Sequence, residues 1–202
     1  MNATEINLET ARPFIERWHY SERVPTGQNQ FFGIRLPSTP DTLIETKDMF
    51  GDVLYAVADY GIGVNPYQAE FIARESGREL RIDQLVELKR LCRVEPRRDD
   101  LPLTKFISMC NKALKKQGIK CVVAFSDPEQ GHSGGIYRAA SFTHMGATQA
   151  EVHLVGLDGK VRHRRFAYRH ARRNGIHVSE SRDALNMQRI KTAPKDRWVK
   201  WL

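Results

Sequence analysis

The sequence predicts a mixed α/β fold, one central sheet flanked by helices and followed by a basic C-terminal extension. Three observations lead there. Cys121 to Phe125 is an unbroken apolar run, the pattern of a strand covered on both faces. Stretches of strand and helix periodicity alternate along the chain. A length of 202 residues with 41% apolar content suits one domain with a substantial core.

Near the N-terminus, Ala11, Phe14, Ile15 and Trp18 recur at helical spacing, so Glu9 to Tyr20 is expected to be an amphipathic helix ending at His19 and Tyr20. Pro25 and Gly27 mark the next stretch as a loop. A strand at Phe31 to Leu36 and a turn at Pro37 to Pro40 follow. Leu54 to Ile62 is a second strand, where Gly61 and Gly63 leave room for another backbone or a ligand. Residues 64–83 read as an irregular connection. Leu85 to Val94 alternates as a strand, with Leu85, Glu87, Lys89 and Leu91 on one side and Val86, Leu88, Arg90 and Cys92 on the other. Both sides mix polar and apolar residues, which marks Glu87 and Arg90 as site candidates; the alternative is a structural ion pair. Leu103 to Gln117 reads as a helix with Phe106, Ile107, Cys110 and Leu114 inward, Lys112, Lys115 and Lys116 outward, and Gly118 as its stop.

After the central strand, Ser126, Asp127 and Pro128 begin a polar loop containing Gly131, Gly134 and Gly135. A short helix from about Gly135 puts Ile136, Ala139 and Ala140 on its packing face and Tyr137 in its first turn, beside the strand terminus. Asp158-Gly159 is a hairpin signal between Glu151 to Leu157 and Lys160 to Phe166, with Arg162, Arg164 and Phe166 sharing a face. Residues 179–191 read as a small helix and Trp198 to Leu202 as an aromatic anchor.

The net charge of +8 is concentrated late in the chain, where residues 160–200 hold 13 Lys and Arg against three acids. Such asymmetry fits a polyanionic partner, nucleic acid being the simplest, or a solvated basic tail. Cys92, Cys110 and Cys121 lack paired metal spacing and sit in apolar segments, so they are expected to be reduced and buried. No apolar run is long enough to cross a bilayer and no signal-peptide core is present, so a cytoplasmic protein without a membrane partner is expected.

Tyr137 can donate a proton and His132 can accept or donate one near neutral pH. Asp127 can orient His132 or position an exocyclic amine, and Ser126 can bond a base edge or an acyl oxygen. The alternative is structural: Ser126 and Asp127 cap the loop, His132 is surface polar, and Tyr137 anchors its helix. His19 and Tyr20 either line a pocket or end a helix whose Trp18 and Tyr20 enter the core. Thr104 and Lys105 can ligate an anion at a helix N-terminus or serve as a simple cap.

Tyr137, Phe142 five residues on, and Gly146 resemble the Y-x-x-x-G-F signature of the GCN5-related N-acyltransferase fold, in which the tyrosine protonates a departing thiolate. Ser141 replaces the usual glycine. A closer resemblance is to the Mom DNA-modification family of bacteriophage Mu and related prophages, an outlying branch of that fold. It is carried by WHYSERVPTG at Trp18 to Gly27, VELKRL at Val86 to Leu91, FSDPEQGHSGGIYRAASF at Phe125 to Phe142, DGKVRHRR at Asp158 to Arg165 and the terminal KDRWVKWL, and it covers most of the chain as a single domain. The resemblance implies conversion of adenine in double-stranded DNA to N6-carbamoylmethyladenine, protecting phage DNA from restriction. It implies a catalytic set of Tyr137, Asp127, Ser126, His132, His19 and Tyr20, with Glu87 and Arg90 in the substrate pocket.

A base acted on in duplex DNA must leave its stack. Arg138, Arg162, Arg164, Arg165, Arg169, Arg172 and Arg173 are the candidate DNA contacts. Acyltransferases of this fold hold coenzyme A on a glycine-rich R-x-x-G-x-G/A loop, and here VEPRRDDLPLTKF stands in its place. Arg97 and Arg98, with Thr104 and Lys105, can bind phosphate, but Asp99, Asp100 and Pro102 disfavour ordinary acetyl-coenzyme A binding. Simple acetylation cannot yield the carbamoylmethyl product, whereas an N6-glycyl adduct is its isomer. The resemblance leaves the donor open, the candidates being an acyl-coenzyme A thioester and a glycyl-type donor such as a charged tRNA. Metal assistance through His19 and His132 with Asp127 or Glu87 is a further alternative, although no compact ligand motif is present. The competing functions are an ordinary N-acyltransferase acting on a protein or small amine, and a non-catalytic DNA-binding relative.

Overall fold

Alternate residues of the apolar run enter two separate cores, Val122 and Ala124 one of them, Cys121 and Val123 the other. The strand is thus covered on both faces, as its composition predicts. The computed structural model describes residues 2–37, 52–63, 65–95, 101–163 and 165–202. Among them β1 (Thr4–Ile6), β2 (Asn29–Pro37), β3 (Asp52–Gly61), β4 (Leu85–Arg93), β5 (Cys121–Ser126) and β6 (Thr143–Ala147) belong to one sheet. A second sheet holds β7 (Val152–Val155), β8 (Val161–His163) and β9 (Gln188–Lys191), and β10 (Asp196–Trp201) returns to the first. The first sheet has the order β1-β2-β3-β4-β5-β10-β6, antiparallel from β1 to β4 and parallel between β4 and β5. The mixed α/β class expected from sequence is the class observed.

A parallel pair needs a crossover, and α3 (Leu103–Lys116) lies between β4 and β5 in the chain. Phe106, Ile107, Cys110 and Leu114 of α3 are buried as expected, and Gly118, in the left-handed region at φ +89°, follows its end. Leu101 and Phe106 occupy the positions of a hydrophobic staple and share the larger core. At the N-terminus, α1 (Leu8–Trp18) is capped by Asn7, whose side chain accepts from the Thr10 amide at 2.9 Å. All three cysteines are buried and free.

Several local expectations need correction. Residues 64–83 contain α2 (Gln68–Ser76), whose Ala69 and Ile72 pack in the second core with Leu85, Cys121, Val123 and Val199. Two turns supply too few apolar repeats to stand out in sequence. Phe166 does not extend the hairpin but lies in α5 (Arg165–Asn174). The region 179–191 divides into α6 (Val178–Ala184) and β9. The terminal aromatic segment is a sheet strand lying between β5 and β6, with Trp198 and Val199 buried. The turn expected at Pro37 to Pro40 lies, beyond Pro37, outside the described residues.

The chain forms two compact units, one of Met1–Phe125, Gly134–Gly146 and Arg197–Leu202, the other of Ser126–Ser133 and Ala147–Asp196. In the second, β8-β7-β9 is antiparallel throughout and α5 packs on α6. There the Ser181 hydroxyl donates to the Ala167 carbonyl at 3.0 Å, so His170, 2.9 Å away, donates to it through Nδ1. No described helix is long and apolar enough to cross a membrane.

Candidate active site

The parallel pairing of β4 with β5 is short, running from Leu85 opposite Cys121 only to Leu88 opposite Ala124. Beyond those residues the carboxyl-terminal part of β4 has no register partner on β5. Carboxyl ends of parallel strands are where open α/β sheets bind ligands; β4 carries Lys89 and Arg90 there, and Glu87 just before, opposite Val123.

Strict alternation predicts that Glu87 and Arg90 point to opposite sides. A register shift overturns this. Asp59 faces Arg90, but the next residue, Tyr60, faces Leu88, and Gly61 faces Glu87. Lys89 is the extra residue of a β-bulge, which brings Glu87 and Arg90 to the face that also carries Asp59. Arg90 donates to the carbonyls of Arg23 (3.1 Å) and Lys89 (2.6 Å), and the Lys89 ammonium donates to Asn29 Oδ1 at 2.9 Å. Both glycines noted in sequence are approached closely. A Cβ on Gly61 would lie 2.3 Å from the Gln28 carbonyl and 2.7 Å from Lys89 Nζ, and one on Gly63 would lie 2.9 Å from Glu87 Oε2.

Asp59, absent from the sequence-predicted set, is fully buried and neither carboxylate oxygen has a hydrogen-bond partner. Burial raises its pKa to about 7 despite the opposing charges of Lys89 and Arg90, with a smaller upward push from Glu87. A carboxyl poised near neutrality can hold or accept a proton under working conditions. The sequence did contain a signal, a lone acid inside the otherwise apolar VLYAVADYG.

Tyr137 sits in α4 (Gly135–Ala139), and the local signature around it is a helix-ending motif. The Phe142 amide donates to the Tyr137 carbonyl at 2.9 Å and the Ser141 amide to the Arg138 carbonyl at 3.0 Å. These are the two bonds of a Schellman motif, with Ser141 at the left-handed position (φ +61°) and Phe142 packing back on Tyr137 at 5.6 Å between ring centroids. Glycine suits that position because serine there strains its backbone, by about 1 kcal/mol. Trp198 lies 6.2 Å from the Tyr137 ring. Burial pushes the phenol up to about 12, assisted by the charges of Tyr20 and Glu87, so it is a neutral proton donor across the working range.

At the start of α4, Gly134 (φ +73°) lies against Trp198, and a Cβ there would stand 2.2 Å from the indole Cζ2. Gly134→Ala is therefore expected to destabilise the protein by about 3 kcal/mol, read as a lowered urea midpoint. An unchanged midpoint would show that Trp198 does not pack there.

His19 ends α1 with its ring 4.4 Å from that of Tyr20. His19 is buried, whereas Tyr20 is 52% exposed and so available to a ligand. The Ser21 amide can only donate, and it reaches His19 Nδ1 at 3.1 Å. The neutral ring therefore carries its proton on Nε2. His19, Tyr20, Glu87 and Tyr137 all belong to the first unit, where the charges of Tyr20 and Glu87 act on Tyr137.

Ser126, Asp127 and His132 belong to the second unit. Ser126 is buried at the end of β5. Asp127 accepts from the Glu129 amide at 3.1 Å and pairs with Lys195 Nζ at 3.0 Å, so its carboxylate serves as cap and ion-pair partner. His132 is exposed, its amide bonded to the Asp127 carbonyl at 3.1 Å. On α5, Ala167 and Ala171 face inward while Arg165, Arg169, Arg172 and Arg173 form an exposed stripe at i, i+4, i+7 and i+8. Arg162 is bound to Asp158 at 2.5 Å and lies over Phe166 at 5.2 Å, and Arg138 of the first unit lies 6.0 Å from the Trp198 ring.

Arg97, Arg98 and Arg164 lie outside the described residues. Pro102 is the N-cap residue of α3 and no side chain caps it, so the simple-cap reading of Thr104 and Lys105 is wrong; both line a pocket instead. Among the described residues no three His, Cys, Asp or Glu side chains gather as a metal-binding group.

The model of the Mom protein family matches residues 1–200. The chain belongs to the Mom family. Comparison with curated proteins gives no match. Membership makes this a phage DNA-modification protein with DNA as its substrate. For a Mom-family protein the basic stripe on α5 is thus suitably placed on one face for phosphate contact. Sequence reasoning missed Asp59, and it took Trp198 as a terminal anchor although it packs beside Gly134 and Tyr137.

Proposed function

We propose that the chain converts adenine in duplex DNA to its N6-carbamoylmethyl form by an acyltransferase-like step, with Tyr137 as the proton donor. The neutral, partly buried phenol at the start of α4 is the observation that carries this reading. Tyr20, exposed beside His19, is the ring on which an extruded base stacks, and His19 supports it with its ring 4.4 Å away. Asp59 and Glu87 handle the proton that the adenine amine loses, while Arg90 fixes the neighbouring backbone.

With a glycyl ester as donor, adenine N6 forms a bond to the glycyl carbonyl carbon as the ester C–O bond breaks. Tyr137 protonates the departing oxygen, and N6 gives up one proton. The glycyl amine then attacks C6, and the original N6 departs as the carboxamide nitrogen. This isomerisation needs neither oxidant nor reductant.

The reading is tested by expressing the protein beside a reporter plasmid and measuring nucleoside masses, with Tyr137→Phe as the control. A carbamoylmethyl-deoxyadenosine present only with active protein is the expected result. Labelled glycine should place its nitrogen on C6, and a non-glycine source for that nitrogen would reject glycyl transfer. Reversing Arg169 and Arg172 to Glu should weaken binding to all duplex sequences at least ~10-fold and reduce the salt slope by about two. Unchanged affinity and slope in a filter-binding titration would remove α5 from the DNA interface.

A further inference from the structure

The outward side of α3 borders a pocket of roughly 500 Å³ that also meets the end of α4 and the last residues of β10, all within the first unit. Lys105, Lys112 and Lys115 of α3 and Lys200 of β10 line it, and no acidic residue does. No ion pair involving these four lysines forms among the described residues. Isolated surface lysines are solvated, but four ammonium groups around one concavity repel each other and raise the local concentration of anions. Lys200 is held in position by donating to the Ala140 carbonyl at 3.0 Å.

The wall also contains Asn111, 7% exposed, whose Oδ1 has no hydrogen-bond partner. A buried unsatisfied acceptor is unfavourable by about 1–3 kcal/mol, so a small shift of this wall that brought Oδ1 to a donor on an occupant would be favourable. The occupant should therefore carry more than one negative charge and also a hydroxyl or amine. The volume suits a ligand of nucleotide size.

We propose that this pocket binds the phosphate groups and ribose of a nucleotide-type ligand, the non-reacting end of the group donor. The link to the donor rests on the transferase reading; the binding itself does not. Free nucleotides and the 3′ end of an RNA share this chemistry.

Calorimetric titration of the full chain with adenosine diphosphate, pyrophosphate and a short RNA ending in CCA tests the assignment without DNA. One saturable site is expected, with adenosine diphosphate binding more tightly than pyrophosphate because only the former offers hydroxyls. Lys112→Glu combined with Lys115→Glu should weaken binding at least ~10-fold, and Lys200→Gln, a milder change, at least ~3-fold. Arg12→Glu with Arg74→Glu, a charge change of the same size on exposed residues outside the pocket, should leave it unchanged. Saturation by adenosine diphosphate identifies a free nucleotide as the source, and saturation by the RNA alone identifies an RNA end. Absence of saturable binding by all three probes overturns the proposal, as does equal loss in the Arg12→Glu, Arg74→Glu control. Because no modification is read, this failure would leave the DNA reaction untouched.

Discussion

Replacing Tyr137 by phenylalanine leaves a folded protein that modifies DNA about 100- to 10,000-fold more slowly. Only the hydroxyl is removed. The ring that remains still packs against Phe142 and Trp198, and the two hydrogen bonds that end α4 involve backbone alone. Because burial, Tyr20 and Glu87 hold the phenol up at about 12, it stays protonated throughout the physiological range. Its contribution is therefore that of an acid, and the wild-type rate should show no falling limb from Tyr137 below about pH 11. The measurement is modified deoxyadenosine per plasmid against time, with thermal unfolding as the control for folding. A wild-type rate in the variant would remove Tyr137 from the chemistry.

Asp59→Asn should separate stability from activity. In the folded protein the carboxyl titrates at about 7 rather than the ordinary 3.8, so the folded state holds its proton where the unfolded chain has lost it. The associated stability is fully present below about pH 4 and lost as pH rises through 7. Asparagine mimics the protonated acid. Wild type and variant should thus be equally stable near pH 4, with the variant the more stable by up to roughly 4 kcal/mol at pH 8, less where Lys89 and Arg90 relax toward the carboxylate. Modification should fall nevertheless, the pattern of a residue kept for function at the expense of stability. A variant less stable than wild type at pH 8 would mean that Lys89 and Arg90 hold Asp59 as a stabilised carboxylate.

Elements with strong local signals were legible. The buried strand at 121–125, the helix at 103–117 and its glycine stop, and the short helix carrying Tyr137 needed only apolar spacing and turn chemistry. The motif around Tyr137 was legible as a pattern, but its cause, a Schellman ending with serine in the left-handed position, required the hydrogen bonds. Short elements such as α2, β9 and β10 escaped because their few apolar residues become significant only against a partner surface.

By itself the sequence determined the α/β class, the family, the burial of the central strand and the concentration of positive charge in the last forty residues. These depend on residue type and on spacing along the chain, which are local properties. Only the tertiary structure decided that Glu87 and Arg90 share a face with Asp59, that the oxygens of Asp59 lack partners, and that Trp198 packs against Gly134. Each depends on strand register or on chain segments far apart in sequence. A single bulged residue at Lys89 reverses side-chain direction without altering the local hydrophobic pattern.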